Sequence, residues 1–434
     1  MVEIQHSNRE GFQPDLWGFE RGEEDFFVHE HLPYSDFSIY VPEDSIYPEA
    51  FHNLPLGRLA NVKQLSLLSY VGPDPDQTHF LEFNHDRFDH SLTVALIAER
   101  ILRQNDIPQE QVNTVIIASL LHDIATPAYG DATKQLDMPN LHEEDFWWKT
   151  LDNNGKKYIE EKAGSKETVD DIIKNKGIFG KLLDIADRIV YTTKDLKGLQ
   201  VSFPSPLRNS NPLFLEMNLI LLDFQQVGNI FKDVGIDQKK GEIFFNDPKH
   251  LEVFLRLRAH LHQHLYLHPV NQAKDLFMAK AILPLYSSHG DSLLTPEKLR
   301  EMNDYDLLGI LAEYYGLNNS GTSFIEDVPH LITDWHANFE KFETLEDAEK
   351  RKKELEERKD TVVVGIKESR AFDPATEYKV AVDGQYIPFR EHNPRAAREI
   401  EEIEKSTRGI FLFWADVSQD TPTNKLLKTV LGKK

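Results

Sequence analysis

Cysteine is absent from the 434 residues of the chain. Disulfides, zinc–thiolate sites, iron–sulfur clusters and thiol nucleophiles are excluded, so a bound metal must be held by His, Asp or Glu. Positive charge is scarce beside negative: 49 Lys and Arg against 72 Asp and Glu leave a net charge of −23. A field of that sign argues against general binding to nucleic acids or anionic membranes. A small anionic substrate is compatible with it, because a local basic pocket outweighs charges beyond a Debye length of roughly 8 Å. Long apolar runs are also missing, and none approaches the roughly 18 residues that mark a membrane-spanning helix. The opening MVEIQHSNREGF has no apolar core of a secretory signal, and the expectation is a cytoplasmic protein.

The composition that remains, 40% hydrophobic and 28% charged, is that of an ordinary globular protein. Residues 1–50 are polar and aromatic with strand-like pieces at Phe26–Val28 and Phe37–Val41, and read as an N-terminal arm. Residues 51–340 read as a helical body. Within it Leu92 to Leu102 is apolar-rich, and Gln111 to Leu121 is apolar around so much of its circumference that a helix buried on most sides is expected. Further helical stretches are expected over roughly 168–197, 212–232, 248–283, 296–316 and 324–340. Residues 341–360 are a charged helical connector without a strong apolar face. Residues 361–434 read as a small α+β lobe, with strands at 361–367, 378–389 and 409–415. The second strand is folded at Asp383-Gly384, and a helix from Asn393 to Lys405 carries Pro394 near its first turn. Eighteen histidines make a search for a metal site worthwhile.

Three segments carry the chemistry. Arg87-Phe88-Asp89-His90 opens an apolar helix, His122-Asp123 closes the most apolar one, and Asp184-Ile185-Ala186-Asp187-Arg188 lies on a later helix. A buried helix that ends in His-Asp is costly unless the pair is hydrogen-bonded or holds a cation. Two imidazoles and two carboxylates suit a divalent first-row ion with positions left open for water and substrate. A satisfied core histidine explains His122-Asp123 alone about as well. Matching contexts at His90 and Asp187 favour the metal.

These residues resemble the H…HD…D pattern of the HD-domain phosphohydrolase superfamily. The resemblance implies a mainly α fold, an HD-domain helical bundle, here with the small C-terminal α+β lobe. It implies one divalent metal ion (Mn, Mg, Fe, Ni, Co and Zn are not distinguished) on His90, His122, Asp123 and Asp187. Within the superfamily the chain is most similar to the dNTP triphosphohydrolases, the branch of the SAM-and-HD-domain enzymes and bacterial dGTPases. Arg58-Leu59 and Lys63-Gln64-Leu65 resemble that branch's segment before the first His, where Gln64 and Leu65 would line sugar and base. Arg87 resembles its α-phosphate-binding Arg, and His142-Glu143 its His-Glu pair beside the scissile bond. Asp187, Tyr191 and Asp195 fall at i, i+4 and i+8, drifting roughly 40° per step, so they share one stripe. Arg258, His262 and Tyr266 repeat that spacing. By resemblance, Tyr191 packs where a ribose 2′-hydroxyl would sit and Asp195 binds the 3′-hydroxyl. Arg188, Arg258 and His262 grip phosphates, and Tyr266 lies against sugar or base. Either stripe alone is what a solvated helix face also produces.

The chain departs from the branch after His-Asp. In HDIATPAYGD, Thr126 and Asp131 stand where two histidines are usual, and Gly57 and Ala60 replace the polar residues of a guanine-reading segment. The implied activity is metal-dependent hydrolysis of deoxynucleoside triphosphates to deoxynucleoside and triphosphate, with His142, oriented by Glu143, as acid–base and Asp131 in a supporting role. The alternatives are an HD hydrolase of another nucleotide phosphoester and an inactive nucleotide-sensing subunit. A homo-oligomer is expected, and the arm and C-terminal lobe are candidate surfaces for a protein partner.

Overall fold

Asp86 begins the central helix: its carboxylate accepts from the Asp89 amide at 2.9 Å, satisfying one of the free N–H groups at the helix start. In the computed structural model the described residues are 3–5, 25–29, 38–42, 45–64, 85–136, 143–202, 230–286, 293–316, 337–369 and 372–432. The strands β1 (Glu3–Gln5), β2 (Asp25–His29) and β3 (Ser38–Pro42) pair in that order as an antiparallel sheet, in keeping with the strand-like arm. A short helix α1 (Tyr47–Asn53) follows, and then α2 (Arg87–Gln104) and α3 (Gln109–Leu121). Every residue of α2 from His90 to Glu99 is buried, and α3 is buried from Thr114 to its end. These two helices pack on each other, and both pack on the 26-residue α7 (Gly177–Ser202). Between α3 and α7 lie the short α4 (Gly130–Lys134), α5 (Asn153–Lys162) and α6 (Lys166–Ile173). The expected mainly helical bundle is the fold. Among the described residues no helix is long and apolar enough to cross a membrane.

Two expected helices lie mostly outside the described residues and differ from the structure only at their described ends. The helix expected over 212–232 lies mostly outside the described residues. Where description resumes, Ile230–Asp233 is one 3₁₀ turn leading into β4 (Val234–Asp237), which pairs antiparallel with β5 (Glu242–Phe245). Glu-Ile-Phe-Phe, after a polar turn, is an apolar run too short to register as a strand among long helices. The helix expected over 324–340 likewise lies largely outside the described residues and gives way to β6 (Asn338–Phe342).

After β5, Asp247 caps α8 (Pro248–Leu261), which passes into a π-helical turn at His262–Tyr266 before α9 (Pro269–Ile282). Then come α10 (Pro296–Glu301), α11 (Asp304–Tyr314), β6, and the charged α12 (Leu345–Glu356), which rests on β7 (Thr361–Ser369). The C-terminal strands divide between two sheets. β10 (Gly409–Asp416) sits between β6 and β7, all antiparallel. The hairpin β8 (Lys379–Val382) and β9 (Gln385–Pro388) instead joins β5, with β8 parallel to it. The hairpin turns at Asp383 and Gly384, with φ of 49° and 80°, the double left-handed geometry that Asp-Gly provides at low cost. α13 (Pro394–Thr407) packs on α8, and its Asn393 cap accepts from the Ala396 amide. The C-terminal residues thereby enter both apolar cores: Phe372, Val380, Phe389 and Ile400 in the larger, Val364, Phe411 and Phe413 in the smaller.

Candidate active site

The bundle brings one end of α2 and one end of α3 to the middle of α7. His90 lies in the first turn of α2, His122 at the C-terminal cap of α3, and Asp187 in the middle of α7. One ligand atom from each lies within 4.8 Å of the others. His90 Nε2 stands 2.8 Å from Asp187 Oδ1, and His122 Nε2 stands 4.0 Å from the same oxygen. His122 Nδ1 is 2.6 Å from the Ser119 carbonyl. A carbonyl only accepts, so this contact places the proton on Nδ1 and leaves the Nε2 lone pair facing the cluster, as a ligating imidazole needs. Burial pushes the His90 pKa down despite Asp187, which favours the neutral, ligating form. Burial pushes the Asp187 carboxyl up, but the His90 hydrogen bond and the two neighbouring imidazoles outweigh it and hold it below the usual range. The donor set, two imidazoles and a carboxylate, fits a divalent cation of the first transition row.

Asp123 stands at the edge of this group of three. Its Oδ2 lies 3.6 Å from His122 Nε2 and 3.9 Å from His90 Nε2, but accepts from Arg87 Nη1 at 2.8 Å. Its Oδ1 accepts from the Thr126 hydroxyl at 3.3 Å. Burial opposes ionisation of Asp123, yet Arg87 and the two imidazoles hold its carboxyl well below the usual range. Arg87 also donates to the Gln64 carbonyl at 3.2 Å and to Asp131 at 3.5 Å. Gln64, Arg87 and Asp131 thus border the metal cluster, with the Asp131 side chain 44% exposed.

The loop after His-Asp is clamped from outside. Arg58 donates to the carbonyls of Ile124, Thr126 and Met302 at 2.8, 2.8 and 3.0 Å, so its guanidinium is committed to the backbone. Burial lowers the Arg58 pKa to about 10. The fully buried Asp304 accepts from the amides of Tyr129 at 2.8 Å and Lys63 at 2.9 Å. Tyr129 itself holds φ 50°, ψ 48°, a left-handed conformation that non-glycine residues adopt only when their surroundings over-determine it. Gly130 is tightly placed: a Cβ there would lie 2.6 Å from Thr126 Cγ2 and 3.6 Å from Arg87 Nη2.

The second stripe meets the first across α7 and α8. Arg258 Nε donates to the Tyr191 hydroxyl at 2.5 Å, and the Tyr266 hydroxyl donates to Asp195. The rings of Tyr191 and Tyr266 meet edge to face at 5.9 Å, and His262 meets Tyr266 at 5.0 Å. The π turn keeps His262 and Tyr266 on the face that Arg258 presents from the α-helix. Such single π turns are frequent at functional sites. Asp195 is wholly buried, and burial raises its carboxyl to about 7 despite the Tyr266 bond. Several polar atoms here have no hydrogen-bond partner among the described residues: Gln64 Oε1 and both ring nitrogens of His262. Buried polar atoms left in one region await a polar ligand or water. Arg188 donates to Asp184 at 3.0 Å and to Asp373 at 2.9 Å.

Leu65 and His142 lie outside the described residues, as does the side chain of Glu143. The remaining residues singled out in the sequence converge on one region. The structure adds His85, whose Nε2 is 3.3 Å from Asp195 Oδ1, and Phe372, Asp373 and Asp304. His85 and Asp86 close the Pro- and Asp-rich stretch ahead of Arg87, where loop composition hid them. The other three arrive from distant parts of the chain, with no spacing to reveal them.

Residues 87–192 match the HD domain family, and the chain carries an HD domain. Its fold is shared by a hypothetical protein from Aquifex aeolicus, 18% identical, with a TM-score of 0.59 over 91% of this chain and 96% of that one. It is shared too by a phosphohydrolase from Bacteroides thetaiotaomicron, 15% identical, with a TM-score of 0.60 over 90% of this chain and 99% of that one. By sequence, no curated protein matches the chain.

Proposed function

We propose that the protein is a metal-dependent phosphohydrolase that cleaves deoxynucleoside triphosphates to deoxynucleoside and triphosphate. The carrying observation is the His90–His122–Asp187 cluster with Arg87, Arg188 and Arg258 around it and Tyr191, Tyr266 and Asp195 beyond. The HD domain and the phosphohydrolase of similar fold support the reaction class. His90, His122 and Asp187 would hold a divalent cation, which would supply Lewis acidity and an acidified water. The three guanidiniums bind phosphate oxygens and stabilise the charge that develops on them. Tyr191 packs against C2′ of the sugar, and Asp195 accepts from the 3′-hydroxyl. Gln64 and Leu65 line sugar and base, and His142, oriented by Glu143, moves the proton to the departing 5′-oxygen.

A second reading, hydrolysis of a less charged nucleotide phosphoester, is favoured by one feature. Arg87 already faces two carboxylates, Asp123 at 2.8 Å and Asp131 at 3.5 Å, so a polyphosphate meets a partly neutralised cation there. One experiment separates the readings. The purified protein is incubated with each dNTP and each dNMP in Mn²⁺ or Mg²⁺, and the products are resolved by ion exchange. Tripolyphosphate with deoxynucleoside is the expected outcome. Orthophosphate released from dNMPs alone would replace the first reading with the second, and no turnover of either substrate class in either metal would reject both.

A further inference from the structure

Two of the proposed phosphate-binding cations are already occupied by the chain itself. Arg188 Nη1 donates to Asp373 Oδ2 at 2.9 Å, and Arg258 Nη1 donates to the main-chain carbonyl of the same residue. The carboxylate is set for this by its own turn, because Asp373 Oδ1 accepts from the Ala375 amide at 2.8 Å. The preceding residue anchors the turn. Phe372 stacks on His262 with centroids 4.4 Å apart and planes 8° apart, and the Arg258 guanidinium lies 5.7 Å from the same ring. Phe372 is buried, so the turn is seated among the site residues rather than merely lying near them. Arg188 also faces Asp184 at 3.0 Å. Two guanidiniums thus meet two carboxylates and a carbonyl, and the pair carries little net charge toward an incoming anion.

The two sides of the Arg188–Asp373 bridge differ in freedom. The Asp373 side chain is 60% exposed and that of Arg188 16%, so the carboxylate is the partner that can swing into water. The Asp373 carboxylate oxygen sits on the Arg188 guanidinium as a phosphate oxygen would, while Arg258 is held by the main-chain carbonyl of the same residue.

We propose that the Asp373 carboxylate holds the place of a substrate phosphate oxygen on Arg188, beside Arg258, and competes with it. This deepens the proposed function and rests on its assignment of those arginines to phosphate. A ligand with a single phosphate repays poorly the loss of the Asp373 contact. A polyphosphate, with more oxygens to share between Arg188 and Arg258, repays it and displaces the carboxylate. Asp373 therefore lowers the affinity of every anion that needs Arg188 and sets the threshold of intrinsic affinity at which the site accepts one.

The test uses inorganic tripolyphosphate and orthophosphate as probes, with binding to the full chain followed by calorimetry at fixed salt. Asp373→Asn keeps a carbonyl oxygen for the Ala375 amide and removes the competing charge. Tripolyphosphate should then bind about tenfold more tightly, the equivalent of one charge-assisted contact of about 1.4 kcal/mol. Orthophosphate should gain by a similar factor, because the cost of displacing the carboxylate belongs to the chain and is the same for either anion. Arg188→Gln should abolish most of the gain when combined with Asp373→Asn, because the competition acts through that guanidinium. Equal or weaker anion binding by Asp373→Asn, with an unchanged melting temperature, would overturn the proposal and make Asp373 a positioning residue. A full gain persisting without Arg188 would overturn it as well, leaving only a change in net charge. A chain that hydrolyses no dNTP while Asp373→Asn tightens tripolyphosphate binding would reject the proposed reaction and retain this inference. dNTP hydrolysis without the gain would do the reverse.

Discussion

Asp304 holds the loop behind the metal cluster in place, and its removal tests that architecture quantitatively. In Asp304→Ala the amides of Tyr129 and Lys63 lose acceptors at 2.8 and 2.9 Å. A buried N–H left without a partner costs about 1–3 kcal/mol, so the two together cost roughly 2–6 kcal/mol. Part of this is offset, because burial of the carboxyl is itself unfavourable and raises its pKa to about 6. The sign with pH follows from that value. The folded value lies above the unfolded value of roughly 3.9, so between about pH 4 and 6 the folded state holds a proton that the unfolded chain has released. The stability contributed by this group is complete below about pH 4 and is lost as pH rises through about 6. The alanine variant lacks the group, so its loss relative to the unmutated chain should be about 1 kcal/mol larger at pH 5 than at pH 7. Urea unfolding followed by far-ultraviolet circular dichroism at both pH values measures this directly. A loss below about 0.5 kcal/mol at both would mean that the two amides find other acceptors. A loss that grows toward pH 7 would mean that the carboxylate is held ionised, contrary to the burial argument.

Three further outcomes are expected. His90→Ala and Asp187→Asn should each lower the bound divalent metal per chain at least tenfold, read by elemental analysis after dialysis; full occupancy in both would reject the cluster as the metal centre. Gly130→Ala should cost about 1–3 kcal/mol, because its Cβ would lie 2.6 Å from Thr126 Cγ2 in a packed turn, and a melting temperature equal to that of the unmutated chain would show that Thr126 yields freely. Tyr191→Ala should raise turnover of ATP relative to dATP, since the ring is assigned to the space at C2′; an unmutated chain that turns over both equally already contradicts that assignment.

Much of the site is legible in the sequence because it is built from local spacings. His-Asp at the end of an apolar helix, and residues at i, i+4 and i+8 on two others, encode position through helix geometry alone. The helical body follows from apolar periodicity, and the Asp383-Gly384 hairpin from the left-handed backbone that its turn requires. Sequence also delimits the chemistry, since a chain without cysteine and with a net charge of −23 has only His, Asp and Glu to offer a metal. Long-range packing decides the rest. That Asp123 faces Arg87, that Arg58 is spent on carbonyls, and that the C-terminal strands split between two sheets depend on residues far apart in the chain. Phe372 and Asp373 reach the arginines of α7 and α8 only because β7 and β8, on either side of them, pair in different sheets. No periodicity records such a meeting, because the energy that selects it is burial shared between segments whose local patterns are independent of one another.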